Sequence, residues 1–122
     1  MGFKISPELE SKILAMPGVV VSGPGAPQDV KEDEKSFQSR VIALAKRNGW
    51  RGIYHTHDSR KSQKGFPDLV LTRERVIFIE CKSDDGELTA DQLNWRDWLL
   101  AAKAEWYCLR PRDWAEIERI LA

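Results

Sequence analysis

The stretch GFPDLVLTRERVIFIECK, residues 65–82, decides the fold of this chain. Two apolar runs rich in strand-forming residues flank the charged segment Arg73-Glu74-Arg75, which is the pattern of a β-hairpin with a short loop. The second run, VIFI, is apolar at every position, and this predicts a strand that is covered on both faces. We therefore expect a buried hairpin whose open end carries the charged residues of the stretch.

The register of that hairpin brings charged residues together. If Glu74 is the centre of a three-residue turn, Asp68 lies directly opposite Glu80, and opposite side chains on one face are ~5 Å apart. Lys82 follows Glu80 by two residues and therefore points to the same face. Two carboxylates at this distance repel each other unless a cation lies between them, so the pattern suits a divalent metal ion next to an ammonium group. A solvated strand end with a weak ion pair is the alternative.

Helices are predicted on both sides of this hairpin. Phe37, Val41 and Leu44 recur at helical spacing, and Thr89 is a good N-cap for a second helix. The predicted elements are helices at residues 34–48, 90–103 and 112–121, strands at residues 51–57 and 104–110, and the hairpin at residues 69–82. Amphipathic helices around a hairpin that is apolar on both faces predict an α/β fold with a small mixed β-sheet flanked by helices.

Length and composition fit one compact domain with an N-terminal extension. The chain has 122 residues, of which 42% are hydrophobic, enough for a single core. Residues 1–33 are predicted to form an arm, with a short helix capped by Ser6 and a linker rich in Gly and Pro. Residues 34–122 are predicted to form the domain itself. Cys81 and Cys108 each lie in an apolar run, which is typical of buried thiols.

Charge is unevenly distributed, although the net charge is zero. Residues 40–65 hold seven cations and a single acid, Asp58, so this part of the chain can present a basic surface to DNA. A solvated basic loop is the alternative interpretation. No stretch is apolar and long enough to cross a membrane. The candidate phosphate ligands in the loop are Ser59, Arg60, Lys61, Ser62 and Lys64.

Four short motifs together resemble one nuclease family. Pro67-Asp68 followed by Glu80-Cys81-Lys82 is similar to the PD-(D/E)xK nuclease signature. The wider pattern consists of HTHDSRKS (residues 55–62), GFPDLVL (65–71), FIECK (78–82) and LTADQLNW (88–95). With these motifs the chain resembles the VRR-Nuc (virus-type replication-repair nuclease) family over about residues 34–114.

The resemblance implies a restriction-endonuclease-like core and metal-dependent cleavage of DNA phosphodiester bonds. Asp68 and Glu80 match the metal-binding carboxylates, and the backbone carbonyl of Cys81 matches a further ligand. Lys82 matches the motif lysine, which holds the attacking water and helps to neutralise the scissile phosphate. Mg²⁺ is the expected cofactor, and Mn²⁺ should replace it because it accepts the same oxygen ligands.

Three further positions match the family pattern. Glu34 matches an acidic residue that many such nucleases carry on the first core helix, as a catalytic and metal-binding group; a solvated glutamate at a helix start is the alternative. Gln92 matches a polar position on the helix after the lysine strand, with an ordinary surface glutamine as the alternative. In the family that the chain resembles, the His55 region leads into the substrate-facing loop, so we expect His55 to contact a phosphate or line the site, with a structural histidine as the alternative. His55 and His57 are also spaced like a zinc-binding pair, but no third His or Cys follows at a matching spacing.

Three functions are consistent with these patterns. The first is a Mg²⁺-dependent endonuclease that cuts branched DNA, such as four-way (Holliday) junctions or flaps, in phage or bacterial replication and repair. The second is a DNA-binding module on the same fold without catalysis. The third is an interaction protein with a tryptophan-rich surface, although Trp95 and Trp98 at helical spacing are more typical of a core.

Partners and compartment follow from the first of these functions. A homodimer is expected, because symmetric cleavage of a junction needs two active sites. DNA, and branched DNA in particular, is the expected substrate. With no membrane segment and no signal peptide in view, we expect the protein in the cytoplasm of a bacterial or phage-infected cell.

Overall fold

The structure, a computed structural model, describes residues 31–57 and 61–122. The elements follow the order predicted for this part of the chain. They are helix α1 (Glu34–Arg47), strands β1 (Gly52–His55), β2 (Leu69–Thr72) and β3 (Val76–Cys81), helix α2 (Ala90–Ala101), strand β4 (Glu105–Leu109), a 3-10 turn (Pro111–Asp113) and helix α3 (Trp114–Ile120). The helix predicted after Ser6 falls outside the described residues.

The four strands form one mixed sheet in the order β1-β2-β3-β4. The β2–β3 hairpin has the predicted register, with Leu69 opposite Ile79 and Thr72 opposite Val76. Strand β1 is antiparallel to β2, and β4 is parallel to β3. Helix α2 forms the crossover that a parallel pair requires. The hairpin therefore lies at the centre of the sheet, and its open end is where β2 begins and β3 ends.

One face of the sheet carries the main hydrophobic core. Alternate residues of β2 and β3 pack there with residues of α1 and α3. Val76, directly after the hairpin turn, is 46% exposed, so β3 is covered on both faces only beyond its first residue. The fully buried side chains include Phe37, Val41, Leu69, Leu71, Ile77, Ile79 and Ile117.

Helix α2 covers the opposite face only in part. None of its residues is fully buried, and Trp98 is 49% exposed, so the expectation that Trp95 and Trp98 both lie in a core is wrong for Trp98. Residues three apart differ by about 60° around the helix axis, and only Trp95 reaches Phe66, with 5.0 Å between the ring centroids. None of the described helices is long and apolar enough to cross a bilayer.

Local caps hold the first turns of α1 and α2. Asp33 accepts a hydrogen bond from the backbone N–H of Ser36 at 2.7 Å. At the start of α2, Thr89 and Gln92 exchange side-chain and backbone hydrogen bonds of 2.9 and 3.2 Å, which is a capping box. These caps fix the positions of Glu34 and Gln92, the two helix residues that the sequence assigned to the site.

Candidate active site

Asp68 lies at the open end of the hairpin, one residue before β2. Its Oδ2 accepts a hydrogen bond from the backbone N–H of Cys81 at 2.9 Å. The register of the hairpin, continued by one residue, sets Asp68 opposite Glu80. Because the Arg73 N–H donates to the Arg75 carbonyl at the turn, the alternation along the strands makes Asp68 and Glu80 a non-hydrogen-bonded pair. Side chains in such pairs approach each other most closely.

Glu80 is a buried carboxyl group, only 1% exposed. Its Oε1 accepts a hydrogen bond from Gln92 Nε2 at 3.0 Å, whereas its Oε2 is buried and, in the ionised acid, has no hydrogen-bond partner among the described residues. Burial, and after it the negative charge of Asp68, raises the pKa of Glu80 to about 9, and a protonated Glu80 can donate a hydrogen bond to the Asp68 side chain. A buried acid with an unsatisfied oxygen costs folding free energy. A cation bound at this oxygen would remove that cost.

The backbone carbonyl of Cys81 lies where the pairing between β2 and β3 ends. The pairing does not continue to Pro67, because the Cys81 N–H donates to the Asp68 side chain and the Pro67 carbonyl accepts from the Thr56 hydroxyl. The N–H of Lys82 donates to Leu109 on β4, and the carbonyl and N–H of one trans peptide point in opposite directions. The Cys81 carbonyl therefore points to the side of β2 and Asp68. Its role as a metal ligand stays a prediction.

Lys82 follows β3 and is held by backbone contacts on both sides. Its side chain is largely buried, since the residue is 8% exposed. Its N–H donates to the carbonyl of Leu109 at 3.0 Å, which continues the pairing with β4. The Nη1 of Arg110 donates to the carbonyls of Ser83 at 2.7 Å and Gly86 at 2.5 Å. These bonds fix the backbone of Lys82 and of the loop that follows it.

Glu34, the first residue of α1, belongs to the same electrostatic cluster. Burial and the negative charge of Asp68 raise the pKa of Glu34, while the positive charge of Lys82 opposes this rise. Glu34 also contributes, after burial and Asp68, to the raised pKa of Glu80. The alternative of a solvated glutamate is disfavoured because Glu34 is half-buried and interacts with the other charged groups. Its role as a metal ligand stays a prediction.

Gln92 connects helix α2 to the buried acid. Its side-chain oxygen accepts a hydrogen bond from the N–H of Thr89 at 2.9 Å, and its side-chain nitrogen donates to Glu80 at 3.0 Å. The side-chain amide of Gln92 therefore caps the N-terminus of α2 and orients Glu80 at the same time. These contacts favour a site-shaping role over that of an ordinary surface glutamine.

The donor set fits a hard divalent cation. The described residues contain no group of three or more His, Cys, Asp or Glu side chains able to hold a metal, which disfavours a zinc site. The predicted ligands are Asp68, Glu80, Glu34 and the backbone oxygen of Cys81, and the absence of a group of three acidic side chains in the described part of the chain disfavours a direct role for Glu34 beside the other two carboxylates. Asp68, Glu80 and the backbone oxygen of Cys81 stay as the predicted set. Mg²⁺ keeps several of its waters and needs few protein ligands, and the unpartnered Oε2 of Glu80 suits such an ion.

Gly65 sets the approach of the Asp68 segment to helix α2. Its φ is +92°, and a Cβ at this position would lie 2.4 Å from the backbone carbonyl atoms of Asp91 and 2.7 Å from the nitrogen of Gln92. Only glycine tolerates both this φ and this close contact. The close contact between Gly65 and the backbone of Asp91 and Gln92 thus positions the start of α2 relative to the segment that carries Asp68.

Replacing Gly65 with alanine is expected to lower the free energy of unfolding by about 3 kcal/mol or more, because strained φ and backbone overlap add together. We also expect the site to lose its geometry, because Gln92 and Asp68 must move apart to admit the new methyl group. Urea unfolding followed by tryptophan fluorescence measures the first effect.

Gly49 provides the matched control for this change. Its φ is +85°, similar to that of Gly65, but a Cβ there would have no atom within 4 Å. Gly49→Ala should therefore cost only about 1 kcal/mol, the price of the φ strain alone. If the two variants lose the same stability, the contact between Gly65 and α2 does not hold the site together.

The predicted DNA-binding residues lie apart from the carboxylate cluster or on its margin. His55 shares a sheet face with Leu69, opposite to the face of Glu80, and its Nε2 forms a hydrogen bond of 2.6 Å with the Gln38 side chain. The His57 ring lies 4.6 Å from that of His55. The loop cations and hydroxyl groups that the structure describes, Lys61, Ser62 and Lys64, are exposed, whereas Ser59 and Arg60 lie outside the described residues. DNA contact by these residues stays a prediction.

Two features of the site region were not predicted from the sequence. Gln38, which holds His55, had one available signal: it lies one helical turn after Glu34. A pocket of about 330 Å³ has Tyr54, Phe66 and Trp95 among its lining residues. Its signal was the presence of aromatic residues inside two of the quoted motifs, GFPDLVL and LTADQLNW.

A mixed sheet with Asp, Glu and Lys at the open end of its central hairpin defines the restriction-endonuclease-like class of folds. Within that class, the sequence matches the VRR-NUC domain family over residues 26–110, and the chain belongs to this family. The match begins ahead of residue 34 and thus includes the end of the predicted arm. The family prediction is confirmed, and membership makes the chain a nuclease-type, DNA-processing module.

The fold is also shared with a solved structure described as "VRR_NUC domain protein". The TM-score is 0.62 at 19% sequence identity, and the similarity covers 75% of this chain and 87% of the other. At this identity the likeness concerns the fold alone. No curated protein matches the chain.

Proposed function

We propose that the protein is a Mg²⁺-dependent endonuclease that hydrolyses phosphodiester bonds in branched DNA, such as four-way junctions or flaps. The observation that carries the proposal is the buried Glu80, whose Oε2 has no partner in the described part of the chain, next to Asp68 and Lys82. A purely structural strand end has no reason to bury a carboxyl group in this way, because burial either desolvates its charge or forces it to take up a proton.

The residues of the site have complementary tasks. Asp68, Glu80 and the Cys81 carbonyl would hold the metal ion, which supplies an activated water and neutralises phosphate charge when bound. Lys82 is buried beside them and would orient the attacking water and stabilise the charge that develops on the phosphate. Gln92 keeps Glu80 in place through its hydrogen bond of 3.0 Å. Hydrogen bonds or packing with neighbouring residues already hold each of these groups in position.

The choice of branched DNA and of a dimer rests on the charge pattern and on stoichiometry. The cations of residues 40–65 would contact the DNA backbone, although Arg40 already pairs with Glu32. Among the described residues no helix is suited to reading bases, which favours recognition of DNA shape. Lys61 and Lys64 are exposed on the loop before Gly65. A junction cut symmetrically on two strands needs two sites, so the active species is proposed to be a homodimer with two-fold symmetry. A role in phage or bacterial DNA replication or repair belongs to the same proposal and is supported by family membership.

A cleavage assay with three DNA structures tests this function. The protein is incubated with a labelled four-way junction, a 5′-flap and a linear duplex, each with Mg²⁺, with Mn²⁺ and with EDTA. We expect cleavage of a branched substrate with either metal and none with EDTA. Analytical ultracentrifugation at micromolar concentration measures the dimer, and a monomer there would contradict it.

The second candidate function is a DNA-binding module that lacks catalysis. It would bind the same DNA structures, yet leave every strand intact under all metal conditions. Against it stands the complete set of Asp68, Glu80 and Lys82, since DNA binding alone requires no buried acid. Binding without any cleavage in the assay would establish this second function instead.

A further inference from the structure

An aromatic pocket lies on the α2 side of the sheet. Tyr54, Phe66 and Trp95 lie around a space of about 330 Å³, a size within the range of small-ligand pockets. Phe66 meets Trp95 edge to face, with ring centroids 5.0 Å apart, and meets Phe78 in the same way at 6.1 Å. Tyr54 is 59% exposed, so a large part of its surface is available to a ligand.

The pocket is built on the same segments as the carboxylate cluster. Thr56, one of its lining residues, donates its N–H to the Asp68 carbonyl at 2.8 Å and its hydroxyl to the Pro67 carbonyl at 2.7 Å. Phe66 precedes Asp68 by two residues. Trp95 lies on α2 one turn after Gln92, the residue that holds Glu80. The pocket is therefore built on the segments that carry the carboxylate cluster and lies next to it.

Polar and cationic groups surround the aromatic rings. Ser62, Gln63 and His57 complete the lining and offer hydrogen-bond donors and acceptors. Lys61 and Lys64 flank Ser62 and Gln63 and are exposed. Aromatic faces next to cations are the combination that binds single-stranded nucleic acid, in which bases stack on rings while cations contact the phosphates.

We propose that this pocket binds one unstacked nucleobase adjacent to the phosphate that is cut. The inference rests on the proposed function, because it makes the unpaired nucleotide at a branch point the feature that the enzyme recognises. A base in regular duplex DNA is stacked and paired and cannot enter, whereas one at a flap or junction leaves the stack at low cost. The polar groups of the lining then contact the edge of the base.

An apolar partner protein is the competing occupant, and the charges disfavour it. The flanking loop carries Lys61 and Lys64 with no acid among residues 61–67. The exposed apolar residues of α2, Trp98 and Leu100, do not belong to the pocket lining. The pocket therefore combines the charge of a phosphate-binding surface with the shape of a site for a flat ring.

The test combines changes in DNA and protein. A fluorescein-labelled 5′-flap is prepared with a single abasic position at each nucleotide near the branch, and its binding is measured with Ca²⁺ in place of Mg²⁺. The full chain is compared with Tyr54→Phe, which keeps the ring, and with Tyr54→Leu, which keeps apolar bulk without it. We expect one abasic position to weaken binding about ten- to a hundredfold for wild type and Tyr54→Phe, and to have little further effect on Tyr54→Leu.

Leu100→Ala is the control, because it removes an exposed apolar side chain of α2 that does not line the pocket. It should keep the full penalty at the same abasic position. The inference is overturned if no abasic position weakens binding more than the others, or if Tyr54→Leu shows the same loss of binding as wild type. It is also overturned if none of these DNAs binds. If Tyr54 and one base are coupled but the protein cuts no DNA, the base-binding pocket is supported and the nuclease function is refuted. If the protein cuts DNA but Tyr54 is coupled to no base, the nuclease function is supported and the pocket is refuted.

Discussion

Replacing Lys82 with methionine is expected to lower the rate of DNA cleavage by about 10²- to 10³-fold, the range found when one charge-stabilising group is removed from an active site. Methionine keeps most of the length and apolar surface of the lysine side chain, which is largely buried. The variant should fold normally, because its backbone is held by Leu109 and by the loop that Arg110 fixes. Dissociation of the DNA should change little, since Lys82 acts on the reacting phosphate.

Single-turnover cleavage and equilibrium binding with Ca²⁺ separate these two effects. Lys35→Met is the control, because Lys35 is exposed on α1 next to Glu34 and has no assigned role. It should cut at close to the wild-type rate. Asp68→Asn should be at least as slow as Lys82→Met, since it removes a metal-binding oxygen. A Lys82→Met protein that cuts at the wild-type rate would show that the lysine does not take part in the reaction.

The centre of the site was predictable from the sequence because it depends on local pairing. A short turn at Glu74 fixes the register of the hairpin, and the register alone sets Asp68 opposite Glu80. The spacing of two residues between Glu80 and Lys82 needs no tertiary information either. Gln92 was assigned by its match to the family pattern, and Thr89 by its N-cap position; the capping box that joins them is seen in the structure.

The remaining features depend on contacts between distant segments, which no periodicity encodes. Gly65 reads as a turn residue in the sequence, but its contact with Asp91 arises only when the segment meets α2. The orientation of α2 likewise decides that Trp95 faces the pocket while Trp98 is exposed. The unpartnered oxygen of Glu80 is a property of packing around the strand end. Sequence patterns predict on which face of a helix or strand a residue lies, whereas tertiary packing decides which other residues that face contacts.

Replacing Glu80 with glutamine is expected to abolish cleavage and to stabilise the metal-free protein. The glutamine oxygen can still accept the hydrogen bond from Gln92, but no buried acid remains. The pKa of Glu80 is raised to about 9 in the folded protein by burial and by Asp68, so folding takes up a proton between about pH 4.5 and 9. The contribution of this proton uptake to the free energy of unfolding is fully present below pH 4.5 and is lost as the pH rises through 9.

The wild type should therefore lose stability relative to Glu80→Gln from pH 5 to pH 8, by up to about 1.4 kcal/mol per pH unit. Urea unfolding in EDTA at several pH values measures this difference, and Glu87→Gln, at an exposed loop acid, should follow the wild-type profile. Mg²⁺ should reverse the order, because an ion that binds only the folded wild type stabilises it in proportion to the logarithm of its concentration. Parallel pH profiles for Glu80→Gln and wild type would mean that Glu80 is ionised in the folded protein, and an equal response to Mg²⁺ would mean that it is not a ligand. Both expected results come from the same buried carboxyl group, which is proposed to destabilise the metal-free site and to bind the cation.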